Sequence, residues 1–312
     1  MIHCDLWGPF ATSTIDGFKF FLTIVDDFTR CTCVYLLKHK SDTQHYLPQF
    51  ASMVNTQFNC KIKMIRSDNG TKFYLKDFFQ SHGILHQLSC VDTPRQNAIF
   101  ERKRQHILNV ARALRFQSQI PLCFWGDCIL IVVHLINKLP SRSLGNKSPY
   151  ELLFNSPPSY TQLKYFGCLC FISTLPHNRD KFAPTTRKCV FLGYPHGIKG
   201  YKVFNLSSNS IHISRNIIFY EHIFPYALSS QPSTSYLSDM IFPHCTSNNT
   251  SHSSSLPIEV VSPSPLPASN PYMLDTTFSP SADTTVVLAV DPIAKSIAIP
   301  NVDPTKASPS YI

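Results

Sequence analysis

No two of the eleven cysteines stand in a Cys-x-x-Cys pair, and eleven is an odd count. Neither a closed disulfide set nor a zinc-ligand spacing is on offer, and reduced, buried thiols fit best. Cys31 and Cys33, like Cys168 and Cys170, alternate by two, the period of residues on one face of a strand. No secretory leader is visible in MIHCDLWG, which carries Asp5 among its first five residues, so an intracellular, non-secreted chain is expected. A clean membrane span is missing too. The longest apolar stretch, residues 120–139, is interrupted by Pro121, Asp127, His134, Asn137 and Lys138, and reads as a buried helix.

Acid is also scarce, with 19 Asp and Glu against 28 Lys and Arg and a formal net charge of +9. Two lysines and six acidic residues follow Tyr226, so the first 226 residues carry 26 basic and 13 acidic groups, a net of +13. A basic body with a mildly acidic tail suits a polyanionic partner, with plain solubility charge as the alternative. At 312 residues and 43% hydrophobic, the chain has room for about two packed domains.

Periodicity divides the chain in three. Strands are expected at 2–7, 18–25, 31–37, 61–67 and 84–88, all rich in aromatic or β-branched residues. Helices are expected at 41–58, where Ser41 and Gln44 make a capping-box signature, and at 75–82, stopped by Gly83. Two long helices follow, at 97–116 and 121–139, after a polar loop at 92–97. This mixed order predicts an α/β domain over residues 1–156 with a partly antiparallel sheet. Five short strands between 166 and 220 then predict a small β-barrel domain over 164–226. The Ser/Pro/Thr-rich remainder, 227–312, has too little periodic apolar area to offset its ordering entropy and is expected to be a disordered tail.

Three carboxylates stand at the ends or starts of these elements. Asp5 lies in HCDLWGP, Asp68 in IRSDNGTKF and Glu101 in TPRQNAIFERKRQHIL. Hard divalent cations want oxygen ligands, and two ions held by carboxylates can clamp both oxygens of an in-line phosphoryl displacement. Spacing alone says little in so long a chain, so the surrounding words carry the assignment.

Those words, together with TIVDDFTRCTCVYLLKHKSD, WGDCILIVVHLINKLPSRSLGNKSPYELLF and FGCLCFISTLPHNRDKFAPTTRKCVFLGYPHGIKGYKVFNL, resemble the integrase of Copia-type long-terminal-repeat retrotransposons, over residues 1 to about 226. The resemblance implies a ribonuclease-H-like mixed five-stranded sheet with flanking helices, then an SH3-like domain. It implies a D,D-E polynucleotidyl transferase in which Asp5, Asp68 and Glu101 are both catalytic and metal-binding, holding two Mg²⁺ or Mn²⁺ ions. The reaction implied is 3′ processing of element DNA and strand transfer into target DNA. Arg102, Lys103, Arg104, Arg112 and Arg115 would grip DNA phosphates, a salt-dependent and sequence-blind contribution. The partners implied are double-stranded DNA, both element ends and target, and further copies of the chain. The place of action implied is the nucleus, reached from a cytoplasmic retrotransposon particle, with no membrane involved.

The chain departs from the family pattern where Gln96-Asn97-Ala98 replaces Gln-Asn-Gly and Arg95 replaces a glutamine, and the Asp68–Glu101 interval is short. The strand of Asp5 begins at Met1, and the zinc domain and polymerase that flank such cores are not in the sequence, so a polyprotein fragment truncated at both ends is expected. The alternative is a catalytically inactive remnant that only binds nucleic acid. Asp26 and Asp27 read as strand-turn residues, His3 and His106 as neighbours of the acidic set rather than ligands, and Trp7 and Trp125 as core.

Overall fold

The structure, a computed structural model, describes residues 1–88, 98–174, 182, 184–229 and 286–287. Strands β1 (Ile2–Trp7), β2 (Phe20–Asp26) and β3 (Thr32–Leu37) form an antiparallel meander. Strands β4 (Met64–Ser67) and β5 (Leu85–Leu88) add on the other side of β1, parallel to it and to each other. These are the five expected strands. A two-residue segment at Val286–Val287 pairs with the outer edge of β3 as a sixth.

Strands β2 and β3 are buried on both faces, which is why they read as nearly unbroken apolar runs. One face, with Leu22, Ile24 and Leu37, packs on Leu47 and Phe50 of α1 (Thr43–Phe58). The other, with Phe21, Val34 and Leu36, packs on Ile107 and Ala111 of a long helix and Ile129 and Val133 of the next. These follow the short α2 (Lys76–Ser81) and are α3 (Ala98–Ser118) and α4 (Trp125–Lys138). The alternation continues in β1. Ile2 and Cys4 join the α1 core while Trp7 joins the other, so His3, Asp5 and Trp7 face α3 and α4.

Helix α4 is buried almost all round, so its apolar run fills a core rather than a bilayer. Among the described residues no helix is long and apolar enough to cross a membrane. Its buried Asn137 meets the backbone of Thr32, accepting at Oδ1 from the Thr32 N–H (2.9 Å) and donating from Nδ2 to the Thr32 carbonyl (2.7 Å). Replacing Asn137 with Ala orphans both groups. The expected cost is about 2–4 kcal/mol, read as a lower denaturation midpoint with an unchanged slope.

After the short helix α5 (Pro149–Phe154), capped by Ser148, come the five expected strands of the second sheet. They are β6 (Leu169–Ser173), β7 (Thr186–Gly193), β8 (Tyr201–Asn205), β9 (Ser210–Ser214) and β10 (Ile217–Tyr220). They run antiparallel throughout in the order β10-β6-β7-β8-β9. Cys168, Cys170 and Cys189 are buried there around Phe191 and Val203. Val190, Leu192 and Phe204 instead enter the core of α3 and α4, so the second sheet shares a hydrophobic core with the first domain. Gly167 closes the joint. It has φ +78°, and a Cβ there would sit 2.3 Å from that of Ser118 at the end of α3.

Two expectations fail locally. Ser41 does not cap α1. A single 3₁₀ turn, Lys40–Asp42, precedes the helix, and Asp42 accepts from the backbone N–H groups of Lys38 (3.1 Å) and His39 (2.9 Å) instead. The carboxylate takes two exposed donors at once, which a hydroxyl at 41 does less well. The chain also turns helical again in α6 (Pro225–Ser229), where a tail was expected. The rest of that tail call, except Val286–Val287, and the Gln96-Asn97 departure lie outside the described residues.

Candidate active site

Parallel pairing of β1 with β4 matches Ile2 to Ile65 and His3 to Arg66. Continued, the same offset sets Asp5 beside Asp68, one residue past the end of β4. Ile65 packs in the α1 core, so Arg66 and Asp68 share the α3 side of the sheet with Asp5. The register thus directs two of the three expected carboxylates toward one level of one face.

Each holds a side-chain cation. Arg104 of α3 donates from Nη1 to Asp5 Oδ2 at 2.9 Å, with the two side chains 28% and 18% exposed. Lys72 donates from Nζ to Asp68 Oδ2 at 2.8 Å. Asp68 Oδ1 also accepts from the Gly70 N–H at 3.1 Å, which folds the Asn69-Gly70 turn back on the carboxylate. The buried Phe73 anchors that turn, and the Lys72 ammonium lies 5.3 Å from its ring centre. Beneath, Ser67 Oγ lies 2.8 Å from His86 Nε2, and burial pulls the His86 pKa below its ordinary value.

Glu101 is exposed in the first turn of α3, one turn before Arg104. Among the described residues no three His, Cys, Asp or Glu side chains gather closely enough to hold a metal. Asp5, Asp68 and Glu101 do not form such a group among the described residues. The helix reaches Asp5 through Arg104 rather than through Glu101, and its lead-in lies outside the described residues. The donor chemistry of Asp5 and Asp68 nonetheless fits a hard cation. Both offer hard carboxylate oxygens, and each is now paired with a side-chain cation, Arg104 or Lys72.

The remaining basic residues split. Arg102 and Lys103 line a cavity on the flank of α3 with Arg30 and His106. Arg112 donates to Asn109 Oδ1 at 2.9 Å, and Arg115 lies 5.3 Å from the Phe116 ring centre. His3 is buried and its Nε2 lies 3.0 Å from Asp27 Oδ1; burial depresses its pKa while Asp27 opposes this. Asp26 accepts from the Thr29 N–H and hydroxyl at 2.8 Å, shaping the β2–β3 turn. Trp7 and Trp125 pack with Phe10 and Phe21. Burial pushes the thiols of Cys31, Cys128 and Cys168 up to about 12, out of nucleophilic range. Lys72 was not anticipated. Its four-residue offset from Asp68 is a pairing spacing only on a helix, and the intervening Asn-Gly read as a plain turn.

Residues 1–94 match the family described as the integrase core domain, and residues 168–232 match the retroviral polymerase SH3-like domain. The chain is 35% identical over 230 residues to the Retrovirus-related Pol polyprotein from transposon RE2 of Arabidopsis thaliana, covering 73% of this chain and 16% of that protein. It is 35% identical over 227 residues to the corresponding polyprotein from transposon RE1 of the same plant, covering 72% and 15%. To the polyprotein from transposon TNT 1-94 of Nicotiana tabacum it is 31% identical over 224 residues, covering 71% and 17%. The chain thus spans about a sixth of the length of the curated relatives it matches.

Proposed function

Because the chain carries an integrase core and a retroviral SH3-like domain and is related to retrotransposon Pol polyproteins, we propose that it is the DNA-joining region of such a polyprotein. The reaction is transfer of a phosphodiester. A 3′-hydroxyl of element DNA attacks a phosphorus of target DNA, and the target's own 3′-oxygen leaves. The observation that supports this reading is the parallel register of β1 with β4, which pairs Ile2 with Ile65 and His3 with Arg66 just ahead of Asp5 and Asp68.

Asp5 and Asp68, joined by Glu101, are the residues that would hold Mg²⁺ or Mn²⁺, which when bound supplies charge neutralisation at phosphorus and a more acidic nucleophile. This chain's own part is to position the carboxylates from two rigid strands and to hold the DNA. Arg104 and Lys72, which pair with these carboxylates in the structure, would be released from them with the cation bound. Their charges then face phosphate, alongside Arg102, Lys103, Arg112 and Arg115. Duplex DNA and further copies of the chain are the proposed partners, and the nucleus is the proposed place of action. Residues 1–156, 164–226 and 227–312 are the proposed core, SH3-like domain and tail.

A labelled oligonucleotide duplex incubated with plasmid and Mn²⁺ is expected to become joined. The Asp68→Asn variant should lose at least about a hundredfold of that product. Equal product from both proteins rejects the assignment. A second reading, a remnant that only binds nucleic acid, is favoured by the two carboxylates already held by side-chain cations and by the lack of a three-ligand cluster among the described residues. It requires salt-sensitive, sequence-blind duplex binding with no joining under any metal.

A further inference from the structure

A cavity of about 560 Å³ opens between the start of α3, the β2–β3 turn and the segment after α4. It lies on the flank of α3 that carries Arg102 and Lys103, whereas Arg104 on the same helix reaches Asp5. Its charged lining is wholly basic: Arg30, Arg102 and Lys103, with His106 beside them. No Asp or Glu is among its described lining residues. The opposite wall is apolar, with Leu139, Pro140 and Leu144, and Ser141 and Ser143 add two hydroxyls. The volume is within the range of about 300–1,000 Å³ common for small-ligand sites.

Lys103 is the informative group. Its side chain is half-buried and has no hydrogen-bond or ion-pair partner among the described residues. Arg30 shares the cavity and adds to the positive field; its one carboxylate contact, Asp27 at 3.0 Å, is divided with His3. The neighbouring Cys31 thiol is held neutral by burial, with its pKa near 12, so it offers no counter-charge. A partly desolvated ammonium that shares its cavity with Arg30, with no carboxylate among the described lining residues, is costly in an empty pocket and suited to an incoming anion.

We propose that this cavity is a phosphate-binding site, in which Lys103, Arg30 and Arg102 ligate the phosphate and the Leu139–Pro140–Leu144 wall receives the attached sugar or base. The shared chemistry is a phosphate ester, whether a phosphodiester of a bound strand or a free nucleotide. The site is separate from the Asp5 and Asp68 pair and draws on the nucleic-acid reading only for the strand as one source.

The test uses the full chain in EDTA, so that no joining chemistry enters and failure of the integrase assignment leaves it intact. One arm follows a fluorescently labelled duplex by anisotropy over a salt series; the other titrates adenosine monophosphate by calorimetry. Lys103→Gln should weaken binding in one arm or both by roughly tenfold. In the duplex arm it should also flatten the slope of log K against log salt by about one. Lys103→Arg should keep most of the affinity, which a purely structural lysine does not require. Loss in the duplex arm alone assigns a strand phosphate, and loss in the nucleotide arm alone assigns a free nucleotide. Lys103→Gln and Arg30→Gln variants that fold and bind both probes as the parent does overturn the proposal.

Discussion

Replacing Asp127 with Asn is expected to destabilise the protein by about 3–5 kcal/mol, roughly 10 °C in melting temperature. Asp127, in the first turn of α4, accepts from Lys202 Nζ of β8 at 2.8 Å, and the two side chains are only 10% and 16% exposed. Desolvation pulls the Lys202 pKa down, but the Asp127 charge and hydrogen bond outweigh it, and the net shift is upward. Asn removes the charge and leaves a buried ammonium uncompensated. Substituting both residues, Asp127→Leu with Lys202→Met, should return stability to within about 1–2 kcal/mol of the parent, because an apolar pair avoids the desolvation cost. The sign with pH follows from the raised folded pKa. The pair's contribution is complete below the unfolded lysine value of about 10.4 and is lost as pH rises through the folded value. Thermal melts of the parent should therefore lose a component above about pH 10.5 that the double variant lacks. A single variant that melts with the parent would show the joint between β8 and α4 to be energetically idle.

Arg104→Gln should bind Mn²⁺ more tightly than the parent, by roughly tenfold or more. In the parent the ion must displace a charge-assisted hydrogen bond at Asp5, and such a bond is worth about 1.5–3 kcal/mol, where about 1.4 kcal/mol is a factor of ten. In the variant that competitor is gone. Arg104→Lys keeps a positive charge within reach and should stay near the parent. Calorimetric titration at one ionic strength reads the difference. An unchanged or weaker isotherm for Arg104→Gln would mean that Asp5 is not where the cation goes.

The strands were legible because β2 and β3 are covered on both faces, so their unbroken apolar composition agrees with their burial. The shared level of Asp5 and Asp68 was legible only in outline. Each carboxylate could be placed on or next to its own strand, but the β1–β4 register that leads to them is a tertiary fact. The cations on them were not legible. Arg104 read as one more base in ERKRQH, and nothing in that word says which of four basic groups turns toward the sheet and which toward the Lys103 cavity. Side-chain direction on a helix depends on how its axis lies over the sheet, which the local sequence does not encode. The Asp127–Lys202 joint escaped for a related reason, since it links two elements 75 residues apart. Asp127 read as an interruption of an apolar run, when it is the anchor of the second sheet.

The central claim is that Asp5 and Asp68 act together on one cation, and a double-mutant cycle on Mn²⁺ binding measures it most directly. Asp5→Asn and Asp68→Asn should each abolish most of the binding, and the double variant should lose scarcely more than either, giving a coupling close to the size of a single loss. Two small, independent losses that simply add, or Mn²⁺ binding that survives in the double variant, would contradict it.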